Sequence, residues 1–213
     1  MFLSDTEYAH VIDLLDKKIE PEPLLIELAD WMKLEFDIQI YDYICDYIES
    51  GQIRLKIILW DNSIQRQFRK GANYDSKKQK KIQIKFAELA RKYNVHPEYH
   101  TEKDIFVCFD TICDQIACKL LCEKRNEIYA LQTDYIWKIV IDYVTVSIFY
   151  ETDVQVEQFK LNGVSDELRK NITQIVIADD KYNVFSNGIF FDFTSHQTLN
   201  EKYRGNLFFY HNR

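Results

Sequence analysis

Apolar residues recur at helical spacing near the start of the chain. Tyr8, Val11, Ile12, Leu14 and Leu15 form one stripe behind a cap at Ser4 or Asp5, and the run ends near Ile19. Pro21 and Pro23 interrupt it and start a second helix over 24–34, with Leu24, Leu25, Leu28, Ala29 and Trp31 inward. Phe36, Ile38 and Ile40 then alternate with polar residues, which predicts a strand. Tyr43, Ile44, Tyr47 and Ile48 return to helical spacing until Gly51 stops the run, and 53–60 reads as a buried strand.

Further along, 61–74 reads as a loop with a turn of helix, and 77–93 as an amphipathic helix with Ile82, Phe86, Leu89, Ala90 and Tyr93 on one stripe. Residues 94–104 form a connector, followed by a strand over 104–110 and a helix over 111–123 carrying Ile112, Ile116, Leu120 and Leu121. Residues 136–150 suggest a long or bent strand. Asn162-Gly163 marks a turn before a helix capped by Ser165, and Asn187-Gly188 marks a turn before another strand. A short helix closes at Gly205, and 206–211 reads as a final strand.

No internal repeat, low-complexity tract or linker is legible. Irregular alternation of helix and strand predicts an α+β fold: a mixed sheet with flanking helices, a helical N-terminus and a strand-rich last third. The expectation is a single domain over 1–213, with one candidate subdomain boundary near 95–103.

Composition narrows the function. The chain has 213 residues, 46% hydrophobic and 29% charged, which is globular rather than disordered. The net charge of -7 is unevenly spread. Residues 1–50 hold 13 acidic and 3 basic side chains, whereas 66–92 hold 10 basic and 2 acidic ones. The acidic N-terminal part repels phosphate backbones and argues against nucleic acid as a ligand. The first residues lack the pattern of an export signal, and no apolar run is long enough to span a bilayer. With five cysteines, an odd number, these features predict a cytoplasmic protein with reduced thiols and no membrane contact.

No enzyme signature emerges. The five glycines build neither a phosphate cradle nor a nucleophile elbow. His96 and His100 are four apart, but Pro97 between them argues against a zinc-binding helix. Cys108, Cys113, Cys118 and Cys122 are close in sequence without paired C-x-x-C spacing. The expectation is therefore no catalytic residue, cofactor or metal.

Two local anomalies point to binding. Lys77, Lys78, Lys80, Lys81 and Lys85 crowd the start of a helix, where they oppose its dipole. They suit an acidic partner, a phosphate, or the acidic N-terminal part of the same chain. The run 41–50 interleaves phenols and carboxylates. Asp42, Tyr43, Asp46, Tyr47 and Glu49 form the candidate partner-binding set, because tyrosines supply anchors and carboxylates steer a basic protein.

The last third has a recognisable outline. One strand ends in Phe149-Tyr150-x-Thr152-Asp153, a glycine turn precedes a helix, and Phe191-Asp192-Phe193-x-Ser195 leads to a short helix and an aromatic end. Phe190, Asp192, Ser195, Tyr203, Gly205 and Asn206 fit it, and it resembles small bacterial proteins among the immunity partners of polymorphic and contact-delivered toxins. The resemblance implies a non-catalytic protein that binds and neutralises a cognate toxin, here a basic one. Two alternatives stand beside it. One is an intracellular enzyme or metal-binding protein using dispersed residues, including the Cys108–Cys122 cluster. The other is a regulatory or scaffold subunit docking through the Lys77–Lys85 helix.

Overall fold

The computed structural model describes residues 3–48, 52–102 and 105–212. Helix dominates over strand, at 51% against 20%, and mixed sheets are flanked by helices, so the class is α+β. The chain divides into two compact units, Met1–Gln115 and Ile116–Arg213. The division falls within one helix, and the connector 95–103 lies inside the first unit.

The first unit opens with helix α1 (Asp5–Leu15). Ser4 and Glu7 form a reciprocal capping box that satisfies two orphan amides at its start. Helix α2 (Pro23–Phe36) has Pro23 at its first position, where no amide partner is needed. It ends at Asp37 in the left-handed region, φ 56°. The strand expected over 36–41 is therefore a correction: Phe36 completes the helix, and pairing begins only at Asp42.

Strand β1 (Asp42–Tyr47) pairs antiparallel with β2 (Ile53–Leu59), bringing Tyr43 opposite Ile57 and Asp46 opposite Arg54. The helical reading of 43–48 is corrected here. Aromatic and branched residues tolerate either period, and the apolar β2 alongside selects the extended form. Helix α3 (Asn62–Arg66) is capped by Asp61. A two-residue hairpin, β3 (Arg69–Lys70) with β4 (Asn73–Tyr74), then leads into α4 (Ser76–Tyr93), capped by Asp75. After a 3-10 turn at Pro97–Tyr99, β5 (Phe106–Thr111) joins parallel to β2, giving the order β1-β2-β5.

Strand alternation sends Leu55, Ile57, Tyr43, Val107 and Phe109 into one core with Leu28 and Met32 of α2 and Ile82, Phe86 and Leu89 of α4. Each fully buried large apolar side chain contributes roughly 1.5–3 kcal/mol. The opposite face carries Asp42, Asp46, Arg54, Lys56, Cys108 and Asp110, which positions the polar chemistry of this unit.

Helix α5 (Cys113–Glu123) carries the chain into the second unit, followed by α6 (Arg125–Tyr129). The stretch 136–150 is a hairpin rather than one bent strand. Strand β6 (Ile136–Asp142) turns at Tyr143, φ 56°, into β7 (Thr145–Tyr150). Helix α7 (Asp153–Leu161), capped by Thr152, precedes α8 (Val164–Ile177). The cap of α8 is Gly163 at φ 84°, not Ser165, whose hydroxyl lies 2.9 Å from that of Tyr150 in the core. Strand β8 (Phe190–Ser195) pairs parallel with β7 and gives the order β6-β7-β8.

Helix α9 (His196–Tyr203) follows, with Ser195 as its cap. The expected last strand is instead helix α10 (Leu207–His211), because the side chain of Asn206 accepts the Phe209 amide and starts a helical turn. Leu168, Ile172 and Val176 of α8 pack with Val146, Ile148 and Tyr150 on one side of the sheet. Phe149, Leu199 and Tyr210 form a smaller core on the other side.

Candidate functional site

The candidate site is a cleft of about 500 Å³ in the first unit. Its walls come from α1, the residues before α2, strand β1 and the turn ahead of Pro97, and they carry Glu7, Glu20, Glu22, Asp42, His10 and His96. Among the described residues no lysine or arginine lines it.

The geometry follows from local folding. Asp42, the first residue of β1, is 5% exposed and sits on the polar face of the sheet. One of its oxygens accepts the Tyr43 amide at 2.8 Å, and the other lies 2.8 Å from Nδ1 of His10. Burial raises the Asp42 pKa despite those two favourable contacts. Tyr43 points to the opposite face and is itself buried, and its hydroxyl donates to the carboxylate of Glu22. Burial first, and then that hydrogen bond, hold its phenol well above the usual range, so it remains protonated. His96 adopts φ 49° ahead of Pro97, which brings Nε2 to 3.4 Å from the Tyr43 hydroxyl. Glu20 and Glu22 are exposed at the rim.

A second charged group lies beneath α1. Lys56 is only 5% exposed, and its ammonium is 3.2 Å from Glu7, 3.9 Å from Asp110 and 4.0 Å from Asp46. Arg54 grips Asp46 through two hydrogen bonds of 2.5 and 2.7 Å. The charges of Glu7 and Asp46 are thus largely matched within the fold, leaving Glu20 and Glu22 at the rim of the cleft beside Asp42, which His10 and the Tyr43 amide hold.

The sequence-derived binding set separates in space. Asp42 and Tyr43 line the cleft, Asp46 is held by Arg54, and Tyr47 is 61% exposed at the end of β1. Glu49 lies outside the described residues. In a strand the two aspartates still share a face, but the tyrosines go to the other one, so the five residues do not form one surface patch. Sequence reading missed His10, Glu20, Glu22 and His96 as members of a site. They come from segments far apart in the chain, and only the capping box that starts α1 is a local signal for where one of those segments begins.

Several lysines of the cluster pair with acidic residues of their own unit. Lys81 pairs with Glu35, Lys85 lies 3.8 Å from Glu27, and Lys92 also pairs with Glu27, so acidic α2 and basic α4 neutralise one another. Lys78 donates to the Gln67 carbonyl and lies over the Phe68 ring, and Lys80 is 3.8 Å from Glu102.

Among the described residues no group of three or more His, Cys, Asp or Glu side chains is placed to hold a metal ion. Burial pushes the Cys108 thiol up to about 11 and the Cys45 thiol up to about 12, so neither is a ready thiolate at neutral pH. Among the described residues no helix is long and apolar enough to cross a membrane.

With carboxylates at its rim and its one phenol already bonded to Glu22, the cleft calls for a donor of positive charge. A guanidinium or ammonium group is the complementary chemistry. No protein-family model, no curated protein and no solved structure matches the chain.

Proposed function

We propose that this chain is a non-catalytic cytoplasmic binding protein that neutralises a basic bacterial toxin, and that its acidic cleft receives a basic side chain of that toxin. The observation that carries the reading is the cleft itself: Glu20, Glu22 and Asp42 line a cavity whose wall, among the described residues, holds two histidines but no lysine or arginine. An arginine or lysine entering it replaces lost water with charge-assisted hydrogen bonds. Tyr47, exposed at the end of the strand that supplies Asp42, offers an aromatic contact for the same partner. The C-terminal resemblance supplies the toxin as the kind of partner, and the acidic balance of the chain supplies attraction over about a Debye length, roughly 8 Å at physiological salt.

The reading is tested by capture from the source cell's lysate on the untagged chain, followed by production of the captured protein alone and with the chain. The account expects a basic protein that arrests growth alone and is harmless when the chain is present. A captured protein that is harmless alone contradicts neutralisation, and one whose toxicity the chain leaves intact does so equally.

A further inference from the structure

We infer that the chain is built from two copies of one ββααβα module, of which only the first carries the cleft. Strands β1, β2 and β5 correspond to β6, β7 and β8. In each unit an antiparallel hairpin is followed by two helices and a strand parallel to the second hairpin strand. A ββααβ order alone recurs among α+β folds, but the correspondence extends to single residues.

The registers coincide. Tyr43 opposite Ile57 matches Ile139 opposite Ile148, and Leu59 opposite Thr111 matches Tyr150 opposite Ser195. Two residues past the second strand, Asp61 and Thr152 occupy the same place, and each caps the next helix. One residue later, Asn62 donates to Asp114 at 2.8 Å, whereas its counterpart Asp153 accepts from Thr198, the counterpart of Asp114, also at 2.8 Å. The backbone repeats the same tie: the Cys113 amide donates to Trp60 at 2.9 Å, and the Gln197 amide donates to Glu151 at 3.1 Å.

The longer helix of each unit buries the same spacing, Ile82, Phe86 and Ala90 against Leu168, Ile172 and Val176, and the partly buried Ile175 stands where the first copy buries Leu89. With this alignment Asp46-Tyr47 falls on Asp142-Tyr143, Gln67-Phe68 on Gln158-Phe159, and Phe106 and Phe109 on Phe190 and Phe193. The β3–β4 hairpin is an insertion in the first copy, where the second has only Asn162 and Gly163.

The copies differ where the first has its chemistry. Asp42 and Tyr43 become Lys138 and Ile139, and Lys56 becomes Ser147. The cleft is therefore not a requirement of the shared module.

The test exchanges the side-chain ties in the full chain. Asn62→Asp places two carboxylates together, and adding Asp114→Thr recreates the second copy's pair. Thr198→Asp with Asp153→Asn makes the reverse exchange. Thermal unfolding is expected to show each double variant more stable than the sum of its singles, by about 2 °C in melting temperature. Additive singles in either unit overturn the equivalence. Amide exchange in the unaltered protein gives a second readout. First-turn helix amides ordinarily lack partners, so slow exchange at both Cys113 and Gln197 is expected, and solvent-rate exchange at either contradicts the shared tie.

Discussion

Nδ1 of His10 on α1 lies 2.8 Å from Oδ2 of Asp42 at the start of β1, so a helix and a strand 32 residues apart meet at the floor of the acidic cleft. The arrangement sets a pH dependence. Burial raises the Asp42 pKa, so the folded chain binds that proton more tightly than the unfolded chain. This group's contribution is most favourable below the ordinary carboxylate pKa and declines as pH rises through it towards the folded value. Asp42→Asn keeps one acceptor oxygen for the Tyr43 amide, turns an amide nitrogen toward His10, and does not titrate. Between about pH 3 and pH 5.5, urea unfolding is expected to show the variant gaining on the native chain as pH rises. A gap that stays constant, or moves the other way, contradicts the assignment.

Lys56 is the buried centre of the polar sheet face. Lys56→Met keeps most of its volume but leaves Glu7, Asp46 and Asp110 without their shared cation. The expected loss in chemical denaturation at neutral pH is about 3 kcal/mol, the scale for breaking a buried ion pair. A loss below about 1 kcal/mol places the lysine in a solvated setting instead.

Tyr99 closes the β1–β2 hairpin from inside the core, with its hydroxyl 2.7 Å from the Arg54 carbonyl and 3.0 Å from that of Asp46. Tyr99→Phe retains the ring packing on Phe86 and removes only the donor. A destabilisation of about 1 kcal/mol in the same assay is the expected result, and an unchanged midpoint shows that the bond contributes nothing net.

Glu27 links α2 to α4 through Lys85, Lys92 and the Tyr93 hydroxyl. Glu27→Lys sets like charges against each other on that seam. The melting temperature is expected to fall at low salt and to recover partly at about 1 M NaCl, where the Debye length is near 3 Å. A fall insensitive to salt assigns the effect to packing rather than charge.

Much of this architecture is legible from local chemistry. Ser4 with Glu7, the stripe from Ile82 to Tyr93 and the turn at Asn187-Gly188 each declare themselves within a few residues, because capping, amphipathicity and turn chemistry are local. Residues 43–48 and 207–211 are not legible. The first becomes a strand because β2 lies beside it, and the second becomes a helix because Asn206 caps it. The cleft is less legible still, since it gathers α1, the residues before α2, β1 and His96. The repeat hides in the sequence because register and hydrogen bonds are retained while most side chains differ.

If the cleft belongs to the first copy alone, one chain binds one partner. Titration calorimetry with the captured toxin is expected to give one site per chain. Two equivalent sites would show that the module itself, rather than the residues around Asp42, makes the contact.

The most direct test of the binding account measures the affinity of that captured toxin for the native chain, for Glu20→Lys, for Glu22→Gln and for Asp134→Lys, at low and high salt. Glu20→Lys and Asp134→Lys change net charge equally, but Glu20 lines the cleft, whereas Asp134 belongs to the second unit. The account predicts at least about a tenfold loss for Glu20→Lys, corresponding to about 1.4 kcal/mol. It predicts a smaller loss for Glu22→Gln and little change for Asp134→Lys. Equal losses for the two lysine variants, or none for either, would contradict the cleft as the place where the partner binds.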